Sequence, residues 1–184
     1  MSTHPVVAAA ARAIHDRTRL TQDFPTPGVL FRDLSPVFGH AQSLAELAGA
    51  INELGGPADL VASLEARGFL LGAAAAITGR AGVLPLRKPG KLPGNGTTSL
   101  LTQSYTLEYG TTALELQPAD VPAGARVLIV DDVLATGGTA AAAVDLIRRA
   151  GGIVTAVVVA MELAALNGRA ALPDDLPVHA IVTV

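Results

Sequence analysis

Four short apolar runs constrain the fold more than any other feature of this chain. They occupy residues 59–63, 82–86, 126–131 and 153–161. Apolar residues follow one another in these runs without polar alternation, which is typical of strands covered on both faces. Helices are expected between and beside them, at residues 41–54, 68–78 and 139–150. The alternation of strands and helices predicts an α/β fold with a central, mainly parallel sheet flanked by helices.

The composition narrows the class of protein further. The chain has 184 residues, which fits one domain, here residues 1–184. It contains no cysteine, which excludes a disulfide framework, a thiolate metal site and a cysteine nucleophile. Its net charge is −3, and no basic tail indicates a nucleic-acid partner. No apolar run reaches the roughly 18–20 residues of a membrane helix, so we expect a cytoplasmic protein without a membrane partner.

The most informative segment is VLIVDDVLATGGTA, residues 127–140. An apolar strand leads into the adjacent carboxylates Asp131 and Asp132, near the strand end where open α/β sheets bind ligands. The loop that follows consists of Ala135, Thr136, Gly137, Gly138 and Thr139. Its glycines let the backbone approach a phosphate, and the first N–H groups of the next helix point towards that anion. Such a loop alone could be a simple helix cap, but the acidic pair beside it favours a bridging sugar diol or hydrated Mg²⁺.

This segment resembles the phosphoribosyl-pyrophosphate motif of the type I phosphoribosyltransferases. The resemblance implies that Asp131 and Asp132 hold the ribose hydroxyls and that the five loop residues cradle the 5′-phosphate. Other stretches resemble the adenine-specific branch of that family: FPTPGVLFRDLSP, SLEARGFL with RKPGKLPG, and YTLEYGT. Together the matches follow the family's order from residue 24 to about residue 168.

The resemblance implies a pyrophosphate site made of Glu65, Ala66, Arg67, Arg87, Lys88 and Lys91. Within it, the peptide bond between Glu65 and Ala66 is expected to be cis. The basic residues belong to a predicted flexible catalytic loop at residues 87–104, where local positive charge would stabilise the leaving diphosphate. Read without the resemblance, Arg67 could form a surface ion pair and the basic loop could simply be solvated.

Base recognition is assigned by the same resemblance. A small N-terminal hood at residues 24–38 is expected to cover the base, with Phe31 stacked on the purine. The backbone groups of Leu30 and Arg32 would read the edge of the base. Glu108 would transfer the purine ring proton, which is suitable work for a carboxylate within hydrogen-bond reach of an N–H. The alternatives are that Phe31 is a core residue and that Glu108 is an exposed carboxylate.

The resemblance therefore implies an enzyme that forms AMP and pyrophosphate from adenine and 5-phospho-α-D-ribose 1-diphosphate in purine salvage. Mg²⁺ is the expected cofactor, held mainly by substrate oxygens and water rather than by dedicated protein ligands. A homodimer is expected. Three alternatives stay open: the same chemistry on xanthine, hypoxanthine or guanine, a non-catalytic sensor of the phosphorylated sugar, and an unrelated α/β binding module.

Overall fold

The computed structural model of the chain describes residues 4–94, 99–107 and 110–184. The helices are α1 (Pro5–Arg17), α2 (Ser35–Phe38), α3 (Ala41–Gly55), α4 (Gly68–Gly79) and α5 (Gly138–Arg149). The strands are β1 (Arg19–Gln22), β2 (Leu30–Asp33), β3 (Leu60–Leu64), β4 (Gly82–Leu86), β5 (Leu101–Leu107), β6 (Gly110–Leu116), β7 (Arg126–Leu134), β8 (Ile153–Glu162) and β9 (Val178–Thr183).

A parallel sheet forms the centre of the molecule, in the order β4–β3–β7–β8–β9. One face packs on α1, α3 and α4 through side chains such as Ile14, Leu47 and Leu71. The other face packs on α5 and β6 through side chains such as Ile147 and Leu114. Both faces are therefore buried, which explains the unalternated apolar runs and confirms the predicted α/β class.

The predicted bounds of these elements agree with the structure within one residue, apart from the end of β7. This strand continues three residues beyond Asp131 because β8 pairs with it as far as Leu134, which lies opposite Glu162. Asp131 and Asp132 consequently lie inside the strand, two to three residues before its last residue, rather than after its end. Strand β9 was not predicted.

Two predicted irregular segments need correction. Strand β5 begins at Leu101 and pairs with β6 in antiparallel register, so the last four residues of the predicted loop 87–104 belong to a strand. The predicted hood at residues 24–38 contains β2 and α2, but β2 pairs with β1 and the hairpin therefore begins at Arg19. In the described ranges, no helix combines the length and apolar character needed to cross a membrane.

Candidate active site

The acidic pair, the phosphate loop and residues 65–67 lie at the carboxyl ends of β3 and β7. These strands are neighbours in the sheet, so the segment after β3 lies beside the acidic pair of β7. Helix α4 begins at Gly68 and helix α5 begins at Gly138, both at this edge. Because the first N–H groups of each helix have no partner within the helix, the edge favours bound anions.

The acidic pair is tightly packed. Asp131 Oδ1 accepts a hydrogen bond of 2.8 Å from the Asp132 amide. Burial, and then the negative charge of Asp132, raise the pKa of Asp131 well above its usual range. The Asp132 side chain is only 8% exposed, and its Oδ2 lies 2.8 Å from Arg67 Nε.

The contact between Arg67 and Asp132 is an ion pair rather than a directed hydrogen bond. Asp132 Oδ2 is buried and receives no hydrogen bond from the described residues, although the guanidinium is close enough to neutralise it. A buried carboxylate oxygen in this state retains hydrogen-bonding capacity. Asp132 Oδ2 therefore has an acceptor position that no described residue fills.

The predicted phosphate loop encloses a small hollow of about 80 Å³. The hollow is lined by Asp131, Ala135, Thr136, Gly137 and Thr139, together with apolar neighbours. Gly137 has φ +83°, a left-handed conformation that other residues adopt only at a cost. The hollow has room for a few waters or one small anionic group.

Two carboxylates hold the basic segment, residues 87–91, in place through hydrogen bonds. Glu65 accepts hydrogen bonds from the Lys88 amide at 2.8 Å and from Arg87 Nε at 3.1 Å. The Lys88 amide is the main reason that the pKa of Glu65 lies below its ordinary value. Glu115 accepts a bond of 3.1 Å from the Gly90 amide. The structure thus gives Glu65 a tethering contact inside the predicted pyrophosphate site.

The other members of the predicted pyrophosphate site are more open. Ala66, Lys88 and Lys91 are exposed, and the peptide bond between Glu65 and Ala66 is cis, as expected. The guanidinium carbon of Arg87 lies 5.6 Å from the centre of the Phe69 ring, within the range of a cation–π contact. Exposed cations and an exposed loop backbone leave room for a phosphorylated ligand.

The hood brings Phe31 to the same region. Its ring is half-buried rather than part of the core, so the alternative of a core residue is wrong. Phe31 makes an edge-to-face contact with Phe24, with ring centres 5.0 Å apart. The Arg67 guanidinium carbon lies 5.6 Å from the centre of the Phe31 ring. Arg67 therefore connects the predicted base-stacking residue to the acidic pair.

The remaining base-site residues lie on β2 beside Phe31. Leu30 is 39% exposed. The Arg32 side chain lines a separate hollow with Ile14 and Met161, which is consistent with alternation along a strand. On the face of β2 that carries the Phe31 ring, Arg32 therefore offers backbone atoms rather than its side chain. Glu108, the predicted proton-transfer residue, lies outside the described residues.

A larger hollow lies away from this edge. It measures about 330 Å³ and is lined by residues such as Asn52, Pro57 and Leu128. None of the predicted site residues that the structure describes lines it, and Glu53 is the charged residue in its lining. The smaller hollow at the phosphate loop is the better candidate because the carboxyl group of Asp131, whose pKa is raised, and free helix amides converge there.

Two residues at the site were missed by sequence reasoning. Glu115 tethers the basic segment from β6, 25 residues along the chain from Gly90. Gly168 packs against the back of the phosphate loop, where a side chain on it would overlap the Ala135 carbonyl oxygen. Both contacts join distant parts of the chain, and no local pattern indicates them.

The comparisons with known proteins agree with this geometry. A family model described as a phosphoribosyl transferase domain matches residues 39–176. The fold and site therefore define a phosphoribosyltransferase. The adenine phosphoribosyltransferase of Mycolicibacterium vanbaalenii is 51% identical over 174 residues, covering 94% of this chain and 97% of that protein.

Solved structures point to the same family. The crystal structure of adenine phosphoribosyltransferase from Rhodothermus marinus has a TM-score of 0.86 at 41% identity, covering 96% of this chain and 99% of that one. The enzyme from Saccharomyces cerevisiae, complexed with an imino-altritol bisphosphate and adenine, has a TM-score of 0.87 at 35% identity, covering 95% and 99%. This chain belongs to the adenine phosphoribosyltransferase family.

Proposed function

We propose that this chain transfers the phosphoribosyl group of 5-phospho-α-D-ribose 1-diphosphate to adenine, which forms AMP and pyrophosphate in purine salvage. One observation carries the proposal. The phosphate loop and Asp131 line one hollow, Asp132 pairs with the Arg67 guanidinium, and that guanidinium lies over the half-buried ring of Phe31. A site for an anion, a site for a sugar diol and an aromatic surface follow one another here, and this order matches the phosphate, ribose and base of a nucleotide.

The phosphate loop and the acidic pair would hold the phosphoribosyl group. The free amides at the start of α5 and the hydroxyls of Thr136 and Thr139 donate to the 5′-phosphate. Asp131 and Asp132 accept hydrogen bonds from the ribose hydroxyls. Because burial and the charge of Asp132 disfavour the charged form of Asp131, a hydroxyl that donates a hydrogen bond to it or a cation that neutralises it is favourable there.

The reaction exchanges one bond at C1 of the ribose. The adenine N9 lone pair forms a bond to C1 while the bond from C1 to the diphosphate oxygen breaks, and the electron pair leaves with pyrophosphate. Arg67, Arg87, Lys88 and Lys91 would stabilise the charge that develops on the leaving group. Glu108 would accept the proton that N9 loses. Glu65 would act mainly by holding the basic segment in place.

Adenine would lie on the Phe31 ring, with its edge against the backbone of Leu30 and Arg32. A backbone C=O accepts from the exocyclic amine, and a backbone N–H donates to a ring nitrogen. Hypoxanthine presents the opposite pattern at these positions. A buried polar pattern of this kind discriminates strongly between bases because the wrong base leaves groups unpaired.

The residues present also fit a magnesium ion bound with the substrate. The two carboxylates provide oxygen atoms of the type that Mg²⁺ prefers, and Asp132 Oδ2 has no hydrogen-bond donor from the described residues. When bound, Mg²⁺ would neutralise diphosphate charge. Substrate oxygens and water would hold it mainly, with Asp131 and Asp132 nearby.

A purine panel tests the proposed reaction. The protein is mixed with Mg²⁺, the phosphoribosyl donor and one purine at a time, and nucleotide and pyrophosphate are measured. AMP formed from adenine alone supports the proposal. Turnover of hypoxanthine, guanine or xanthine instead assigns a different base, and donor binding without turnover with any purine indicates a sensor.

The role of Glu108 has its own test. Glu108→Gln should lower the rate by about 10²–10⁴ because proton transfer contributes that much in other enzymes. Glu53→Gln is the matched control, since Glu53 is exposed and lies outside the site. An unchanged rate in Glu108→Gln would remove the proton-transfer role.

We also propose that the chain forms a homodimer through α4 and β4. Leu70 and Ile77 are 53% and 79% exposed and lie seven residues apart, on one face of α4. Val83, on the edge strand β4, is 45% exposed. Ile77→Glu should shift the mass measured by light scattering from dimer to monomer, and an unchanged mass would exclude this face as the interface.

A further inference from the structure

The phosphate loop rests on a second segment that contributes no predicted substrate contact. This segment is the short 3₁₀ turn Gly168–Ala171, between β8 and β9. A Cβ built on Gly137 would overlap the Gly168 carbonyl oxygen, and one built on Gly168 would overlap the Ala135 carbonyl oxygen. The two backbones therefore touch without a side chain between them, and the turn sets the position of the back of the loop.

The turn is fixed to the sheet by Arg169. Arg169 Nε and Nη2 each lie 2.8 Å from one oxygen of Glu162, which makes a two-pronged contact. Arg169 Nη1 donates to the Val178 carbonyl at 2.6 Å. Charge-assisted bonds in this arrangement are strong and directional. These bonds join the turn to the end of β8 and to the start of β9.

Glu162 is placed to transmit this constraint to the loop. It lies at the last position of β8, opposite Leu134, which immediately precedes the loop on β7. The Leu163 amide also donates to the Leu134 carbonyl at 2.9 Å. Contacts thus connect Leu134, where the loop begins, to Glu162 on the next strand, and Glu162 to Arg169. The turn that contains Arg169 then contacts the loop again through Gly168.

The pair stays charged at neutral pH. The hydrogen bonds from Arg169 are the largest reason that the pKa of Glu162 is lowered. Glu162 is 6% exposed, so a missing partner would leave a buried charge uncompensated. Thr183 Oγ1 donates to Glu162 Oε2 only at 3.4 Å, so Arg169 is the main partner of Glu162 among the described residues.

We propose that Arg169, held by Glu162, is a positioning residue that sets the affinity of the phosphate loop for the 5′-phosphate. It touches no substrate and acts through the contact between Gly168 and the loop. The inference rests on the proposed function, because it assumes that the loop binds the 5′-phosphate. If Arg169 served folding alone, replacing it would weaken the binding of every ligand to a similar extent or of none.

Two ligands separate these possibilities. Ribose 5-phosphate reports on the loop, whereas inorganic pyrophosphate, measured with Mg²⁺, reports on the other half of the site. Their dissociation constants are measured by calorimetry for the wild type and for Arg169→Gln. We expect about a tenfold loss for ribose 5-phosphate, the lower end of what losing an outer-shell partner costs at metal sites. The constant for pyrophosphate should change by less than about twofold.

Two further variants complete the test. Arg148→Gln is the matched control, because Arg148 forms an ion pair with Asp175 at 3.9 Å in which both side chains are largely exposed. It should leave both constants unchanged. Arg169→Lys keeps the charge beside Glu162 but loses the two-pronged geometry, so it should fold and show the same selective loss to a smaller degree.

The outcomes are distinct. Failure of the wild type to bind ribose 5-phosphate would contradict the proposed function itself. If the wild type binds it, equal losses for both ligands, or no loss in Arg169→Gln, would overturn the positioning role. Should Arg169→Gln not fold, the ratio of the two constants in Arg169→Lys decides the question alone.

Discussion

Replacing Arg67 with methionine should destabilise the protein through the buried charge that it leaves behind. The guanidinium lies 2.8 Å from Asp132 Oδ2, and the Asp132 side chain is 8% exposed. Arg67 also partly offsets the rise in the pKa of Asp131 that burial and the charge of Asp132 cause, so its removal leaves the repulsion within the acidic pair less compensated. Methionine keeps much of the apolar stem and removes only the charge and the donors.

The expected cost follows from the burial of the two partners. Breaking a fully buried ion pair costs about 3–5 kcal/mol. The Arg67 side chain is 37% exposed, so water screens its contact and the expected cost falls to about 1–2 kcal/mol. At roughly 2–4 °C per kcal/mol for a chain of this size, Arg67→Met should lower Tm by about 2–8 °C.

A double-mutant cycle by urea denaturation at pH 7.5 tests this reasoning. Adding Asp132→Asn to Arg67→Met removes the uncompensated charge and should restore most of the lost stability. Arg126→Met is the control, because Arg126 and Asp59 are both about half exposed, and it should change stability by less than about 0.5 kcal/mol. An unchanged stability in Arg67→Met, or a further loss in the double variant, would refute the explanation.

Two other predictions concern the acidic pair and the loop. Asp131→Asn should raise the free energy of unfolding at neutral pH, because the raised pKa of Asp131 shows that its charged form is disfavoured in the folded state. This gain in stability should be largest above the raised pKa and vanish as the pH falls towards about 4, the ordinary pKa of an aspartate. The same change should lower kcat/KM by about 10–100-fold because a charged hydrogen-bond acceptor is lost. A gain in stability that persists at low pH in denaturation curves would contradict this cause. Gly137→Ala forces a side chain onto φ +83° and against Gly168, so it should cost about 1–2 kcal/mol in backbone strain alone and weaken ribose 5-phosphate binding at least about tenfold. Calorimetry that shows wild-type affinity would mean that the loop has more freedom than its packing implies.

The central sheet could be predicted from sequence because its strands are buried on both faces. Each of the four runs carries enough consecutive apolar residues to be recognised without knowledge of its neighbours. Strand β1 could not be recognised in this way, since all four of its residues are exposed. Its pairing with β2 depends on contacts across the hairpin.

Pairing between distant strands also explains the two wrong boundaries. The stretch 101–104 contains Thr102 and Ser104, which follow several turn-forming residues and were assigned to the loop. It is a strand because β6 pairs with it. Likewise β7 extends to Leu134 because β8 provides a partner there. Neither partner is visible in the local sequence.

Much of the candidate site was accessible because its chemistry is concentrated in contiguous motifs. Residues 131–139 form a single stretch, and the structure places most of them, including Asp131, Thr136 and Thr139, around one hollow. The tether of Glu65 to the Lys88 amide and the brace of Arg169 on Glu162 were not predicted. Both are contacts between separate segments, and an isolated Glu or Arg in a sequence carries no sign of its partner.

The central claim is that the acidic pair and the phosphate loop hold the two ends of one phosphoribosyl group. A crystal structure of the protein with AMP tests it most directly. We expect the phosphate within about 3 Å of the backbone amides at the start of α5, and the ribose hydroxyls on the carboxylates of Asp131 and Asp132. A nucleotide bound with its phosphate elsewhere, or with its ribose turned away from both carboxylates, would contradict the account.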